Sequence, residues 1–123
     1  MNKSNVVKEI MTYLEEELAD GKRDPKEIQR LLTVYRFIPV RDYLPEEPII
    51  PSSLVELDLT GTRAFYFIAP QGGGLVTRVD GKPVQVITPQ SPLGEALLGK
   101  KTGDTIDVEI RGGTRSYRVV ASK

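Results

Sequence analysis

Residues 90–104 read QSPLGEALLGKKTGD, and they decide the fold because they hold the one helical pattern in an otherwise strand-patterned C-terminal half. Ser91 is placed to cap, and Pro92 suits a first helical position, where its missing N–H costs nothing. Leu93, Ala96, Leu97 and Leu98 follow at helical spacing, and Gly99 permits a left-handed exit. On either side the period is two. Val55, Leu57 and Leu59 alternate with Glu56 and Asp58, Ala64–Ala69 is a short apolar run closed by Pro70, and residues 74–79 lead through Asp80-Gly81 to a partner strand at 84–88. Downstream, Ile106, Val108 and Ile110 alternate with Asp107 and Glu109, Gly112-Gly113 turns the chain, and Tyr117 and Val119 return. Residues 52–123 are thus expected to form an α+β domain, an antiparallel β-sheet with one short helix packed on it.

The N-terminal third has a different period. Val7, Ile10, Met11, Leu14 and Leu18 fall on one stripe of an amphipathic helix over 5–19, which Gly21 stops. Asp24, Pro25 and Glu27 form a capping-box-like start for a second helix with Ile28, Leu31, Leu32 and Tyr35 inward, and Pro39 ends it near Ile38. Two such helices joined by a short turn make an antiparallel helical hairpin, assigned to 1–38. Val34 and Phe37 remain as apolar positions on its second arm, so a homodimer is one expected use of that surface. Between hairpin and sheet, residues 39–51 (PVRDYLPEEPIIP) carry four prolines, a composition that suits a semi-rigid linker and a domain boundary.

Composition removes many chemistries. There is no Cys and no His among the 123 residues, which excludes disulfides, thiolate metal sites, a Cys nucleophile and imidazole general bases. Seventeen basic residues balance seventeen acidic ones, so there is no electrostatic footprint for nonspecific nucleic-acid binding. No apolar run approaches the roughly 20 residues of a membrane span, and the charged N-terminus has no secretory apolar region, so a soluble cytoplasmic chain is expected. The loop Gln71–Gly74 is glycine-rich but lacks the Gly-Lys-Ser/Thr register of a phosphate loop, and it reads as a connection. Neither a serine-hydrolase elbow nor a basic aromatic track around Phe65, Tyr66 and Phe67 is present.

The run SPLGEALLGKKTGD at 91–104 resembles the signature of the C-terminal domain of the GreA/GreB superfamily, and the likeness extends over about residues 52–121. The resemblance implies an FKBP-like domain that docks on bacterial RNA polymerase at the rim of the secondary channel, with an N-terminal hairpin directed into the channel. The docking residues it implies are Gln90, Ser91 and Pro92. Some members carry an acidic residue where this chain has Gln90, which exchanges a possible ion pair for a weaker neutral hydrogen bond.

The hairpin tip, DGKRDPKE at 20–27, offers Asp20, Asp24 and Glu27, and its last four residues resemble the acidic tip with which Gre cleavage factors help hold magnesium in the polymerase active centre. Capping accounts equally for Asp24 and Glu27. An arm of 15 residues rises only about 22 Å, whereas the cleavage factors have arms roughly twice as long. The short arm brings the chain closest in architecture to the Rnk type, the regulator of nucleoside diphosphate kinase. The expectation is therefore a polymerase-binding transcription regulator that is not itself an enzyme and needs no cofactor or resident metal. Transcript-cleavage stimulation through Asp24 and Glu27 is the alternative, and an FKBP-like peptidyl-prolyl isomerase is the alternative from another class.

Overall fold

The computed structural model describes all residues from 1 to 123. Helix α1 (Lys3–Asp20) starts earlier than the apolar stripe suggests because Asn2 caps it, its side-chain oxygen accepting from the Ser4 amide at 2.7 Å. Gly21, at φ +67°, ends it in a Schellman-type exit, with the Lys22 amide donating to the Glu17 carbonyl. Helix α2 (Pro25–Arg36) is capped by Asp24, which accepts from the Lys26 amide at 3.1 Å. Glu27 makes no reciprocal bond, so the expected capping box is only half formed.

Six strands follow: β1 (Leu54–Leu59), β2 (Thr62–Ile68), β3 (Val76–Val79), β4 (Lys82–Ile87), β5 (Thr105–Ile110) and β6 (Gly113–Ser122), with helix α3 (Pro92–Leu97) between β4 and β5. They form one sheet in the order β3-β4-β2-β1-β6-β5. The α+β class stands, but the sheet is mixed where an antiparallel one was expected. β3 is laid at the edge and β4 returns between it and β2, which makes the β2–β4 pair parallel; the other four pairs are antiparallel. Local hairpin signals at Thr60-Gly61 and Asp80-Gly81, all four residues at positive φ, specify their own pairs and nothing about which strand of a hairpin meets a third one.

The two faces of the sheet are covered differently. On one face α1 and α2 bury Val6, Val7, Ile10, Leu14, Ile28, Leu31, Leu32 and Tyr35 against Leu54, Phe67, Ala69, Leu75, Val79, Val84 and Val86. On the other, Leu97 of α3 packs with Val55, Leu57, Ile68, Ile87, Ile106, Val108 and Val119. Neighbours such as Leu54 and Val55, or Phe67 and Ile68, divide between the faces as a pleated strand requires. The hairpin therefore lies on the sheet and shares its core. Of the two apolar residues noted on the second arm, Val34 is half-buried against this core and Phe37 stands in solvent.

The segment 39–51 is irregular, yet it is fastened along its length. The Lys3 ammonium donates to the Arg41 carbonyl at 2.7 Å and sits 4.1 Å from the Tyr43 ring centroid, and the Tyr43 hydroxyl meets Ser52 Oγ at 2.6 Å. Further on, Ile49 is buried in the α3-side core and exchanges backbone bonds with Lys100 and Gly99 at 2.7 and 2.9 Å.

Helix α3 sits so close to the end of β4 that a Cβ on Gly94 would lie 2.0 Å from the Thr88 carbonyl oxygen. Only glycine fits there, and backbone cannot move aside as a flexible side chain can. Gly94→Ala should lower stability by about 1–3 kcal/mol or more, read by denaturant unfolding. A second prediction concerns Lys3, whose burial pulls its pKa down to about 8 against the neighbouring Asp42 carboxylate, which acts in the opposite sense. Between pH 8 and 10 the unfolded chain then binds more protons at this site than the folded one, so stability rises with pH. The rise should be absent from Lys3→Met in paired urea titrations across this range.

Candidate docking corner and hairpin tip

The corner between β4 and α3 is built from backbone bonds first. Ser91 stands in an extended conformation as the cap of α3; its hydroxyl donates to the Thr88 carbonyl at 2.7 Å and accepts from the Gly94 amide at 3.1 Å. The Ser91 amide also donates to Thr88, and the Glu95 amide donates to the Ser91 carbonyl. Every polar group of Ser91 is thus engaged inward, which leaves Gln90 and Pro92 as the exposed members of the trio. Ser91 positions the corner, and its neighbours are available to touch a partner.

The rest of the stretch is mostly scaffold. Gly99, at φ +83°, turns the chain toward Ile49. Asp104 closes the following turn by accepting from the Lys101 amide at 2.9 Å, and its carbonyl receives the Val119 amide. Beside the corner lies an open groove of about 490 Å³ in which Gln90, Pro92 and Ala96 adjoin three carboxylates, Glu95, Asp107 and Glu109. Sequence reading placed Asp107 and Glu109 only as the polar side of a strand. The packing of α3 against β5 is what brings that side next to Gln90, and no local pattern encodes it.

The tip residues are arranged differently. Asp20 pairs with Lys22 at 3.8 Å in solvent, Asp24 caps α2, and Glu27 is exposed without a partner. Arg23 is held through Nε to Glu17 at 2.9 Å. No three acidic side chains anywhere in the chain are gathered so as to hold a metal ion. Instead the tip faces the loop after β2, and Arg23, Asp24, Glu27 and Arg30 line a cleft of about 390 Å³ with Gly72 and Gly73. Tyr35 fixes that loop by donating from its hydroxyl to the Gln71 carbonyl at 2.9 Å, and burial pushes the phenol well above its ordinary pKa.

The three phenylalanines do not share a pocket. Phe67 is in the core, Phe37 is in solvent after α2, and Phe65 is half-buried on β2. No helix is long and apolar enough to cross a membrane.

Comparison with known proteins agrees with these features. Residues 78–123 match the family described as transcription elongation factor, GreA/GreB, C-term. The transcription elongation factor GreA of Clostridium perfringens strain SM101 is 26% identical over 108 residues, covering 82% of this chain and 68% of that protein. GreA of Brucella canis is 51% identical over a shorter stretch of 37 residues, 30% of this chain and 24% of its own length. Among solved structures, that of the transcription factor Gfh1 shares the fold, with a TM-score of 0.53 at 23% identity over 98% of this chain and 85% of the other. The segment that contains the Ser91-Pro92 corner and the closing β5–β6 hairpin is thus similar to the GreA/GreB C-terminal domain.

Proposed function

We propose that this chain is a transcription regulator that binds RNA polymerase at the rim of the secondary channel through the Gln90–Pro92 corner, and that it does not stimulate transcript cleavage. The observation that carries the non-cleaving part is the burial of both hairpin arms on the sheet. An α1 of 18 residues spans about 27 Å, and its length runs along the domain, not away from it. Reaching a catalytic metal from the rim would require peeling α1 and α2 off the sheet. Each buried Val, Leu or Ile contributes roughly 1.5–3 kcal/mol to that contact, against a total stability on the order of 5–15 kcal/mol for a domain.

The docking part rests on the corner's construction. Ser91 and Gly94 hold the corner rigidly, so a partner that contacts Gln90 and Pro92 has little ordering entropy to offset. The three carboxylates beside Gln90 supply negative charge to the surface that the neutral Gln90 does not. In this reading the chain acts by occupancy, hindering nucleotides or competing factors at the channel mouth, with the Rnk type as its counterpart in architecture. The chain supplies no catalytic group of its own.

Core RNA polymerase should be retained by the immobilised wild-type chain, and Gln90→Ala with Pro92→Ala should weaken retention tenfold or more, a loss of about 1.4 kcal/mol. Both positions are exposed, so the fold is expected to survive, as circular dichroism would verify. Undiminished retention would remove the corner from the interface. On backtracked complexes the wild type should release no additional RNA. If release is stimulated and then lost in Asp24→Asn with Glu27→Gln, the tip does reach the active centre and the cleavage reading replaces this one.

A further inference from the structure

The cleft at the hairpin tip holds several donors that neither the fold nor polymerase docking uses: the Arg30 guanidinium and the amides of Gly72 and Gly73. On the sheet side, the amides of Gly74 and Leu75 donate to Val86 and Gly72, whereas those of Gly72 and Gly73 donate to nothing in the protein. Gly72 has φ +91° and Gly74 +93°, left-handed conformations that favour glycine. This loop is held stiffly. Gly72 abuts the Tyr35 hydroxyl so closely that a Cβ would lie 2.7 Å from it, and Gly73 abuts the Thr88 side chain, 3.2 Å from where its Cβ would be.

On the helical side, Arg23 and Arg30 line the same cleft. Arg23 is oriented by Glu17, and Arg30 forms no ion pair at all. The N-terminus of the 12-residue α2 adds a partial positive charge at the same end. Arg23, whose Nε is held by Glu17, the unpaired Arg30, and Gly72 and Gly73 with their unspent amides line one cleft of about 390 Å³, and donors of this kind recognise phosphate oxygens.

We infer that this cleft binds a small molecule bearing a diphosphate. A lone phosphate is the poorer match, because the two arginines come from different elements, Arg23 from the turn before α2 and Arg30 from within the helix, and two linked phosphates can engage both. A nucleic-acid backbone is also a poorer match, since the chain, at zero net charge, offers no basic track leading to or from the cleft. Asp24 and Glu27 border the same space. Asp24 is committed to its cap, but Glu27 is unpaired and repels an anion, so it holds the affinity down.

The site is independent of polymerase docking, and its test uses the free chain. Inorganic pyrophosphate titrated into the 15N-labelled protein should shift the Gly72 and Gly73 amides and the Arg30 Nε–H together, along one saturating curve. Arg30→Ala, at an exposed position, should weaken that binding at least tenfold, and Glu27→Gln should tighten it several-fold. Non-saturating shifts spread over all the lysines and arginines would overturn the proposal, as would indifference to Arg30→Ala. Equal affinity for orthophosphate would overturn the diphosphate assignment, and tighter, Arg30-dependent binding of a single-stranded RNA oligonucleotide would replace the small molecule with a nucleic acid.

Discussion

The burial of two helical stripes on one half of the sheet is the constraint from which the rest of the molecule follows. Strands β3, β4 and β2 present Val79, Val84, Val86 and Phe67 on one face, and without a cover these would form an apolar patch in water. Helix α2, at 12 residues, is marginal alone, and helical stability in proteins comes mostly from packing of an amphipathic face, so both stripes need this surface as much as it needs them. A hairpin held this way is part of the domain. Its turn is brought down to the loop after β2, and the tip carboxylates are kept at the domain surface.

The opposite face obeys a tighter geometry. Helix α3 is only six residues long and has little propensity-driven stability, so its position is set by contact: Leu97 in the core, Ser91 over its N-terminus, and Gly94 against the Thr88 carbonyl. Most of the conspicuous residues in 91–104 therefore hold the backbone in place. Gln90, Pro92 and the carboxylates of Glu95, Asp107 and Glu109 border the open groove beside the helix.

The segment 39–51 ties the two faces together. Lys3, at the start of α1, is covered by Arg41 and Tyr43, while Ile49, six residues beyond Tyr43, is inserted beneath α3. Ser52, which follows, takes φ +83° although it is not glycine, and is held there by the Tyr43 hydroxyl and the Ile68 carbonyl. The prolines stiffen this segment without giving it ladder bonds of its own, so its order comes from side chains that reach into two separate cores.

Element identity was legible in the sequence because it depends on neighbours a few residues apart. Asn and Asp caps, glycine exits, the Asp80-Gly81 turn and the periods of 3.6 and 2 are satisfied within one hydrogen-bonded turn or pair, and α1, α2, α3 and the strands lie close to where those signals put them. The corner at Gln90–Pro92 was legible for the same reason. The parallel β2–β4 pair, the hairpin laid flat, the anchored proline segment and the cleft joining Arg23 and Arg30 to Gly72 were not. An apolar stripe states which face must be covered and is silent about what covers it. Side chains some fifty residues apart meet only after the whole core has closed, so the chemistry of that cleft belongs to the tertiary structure alone.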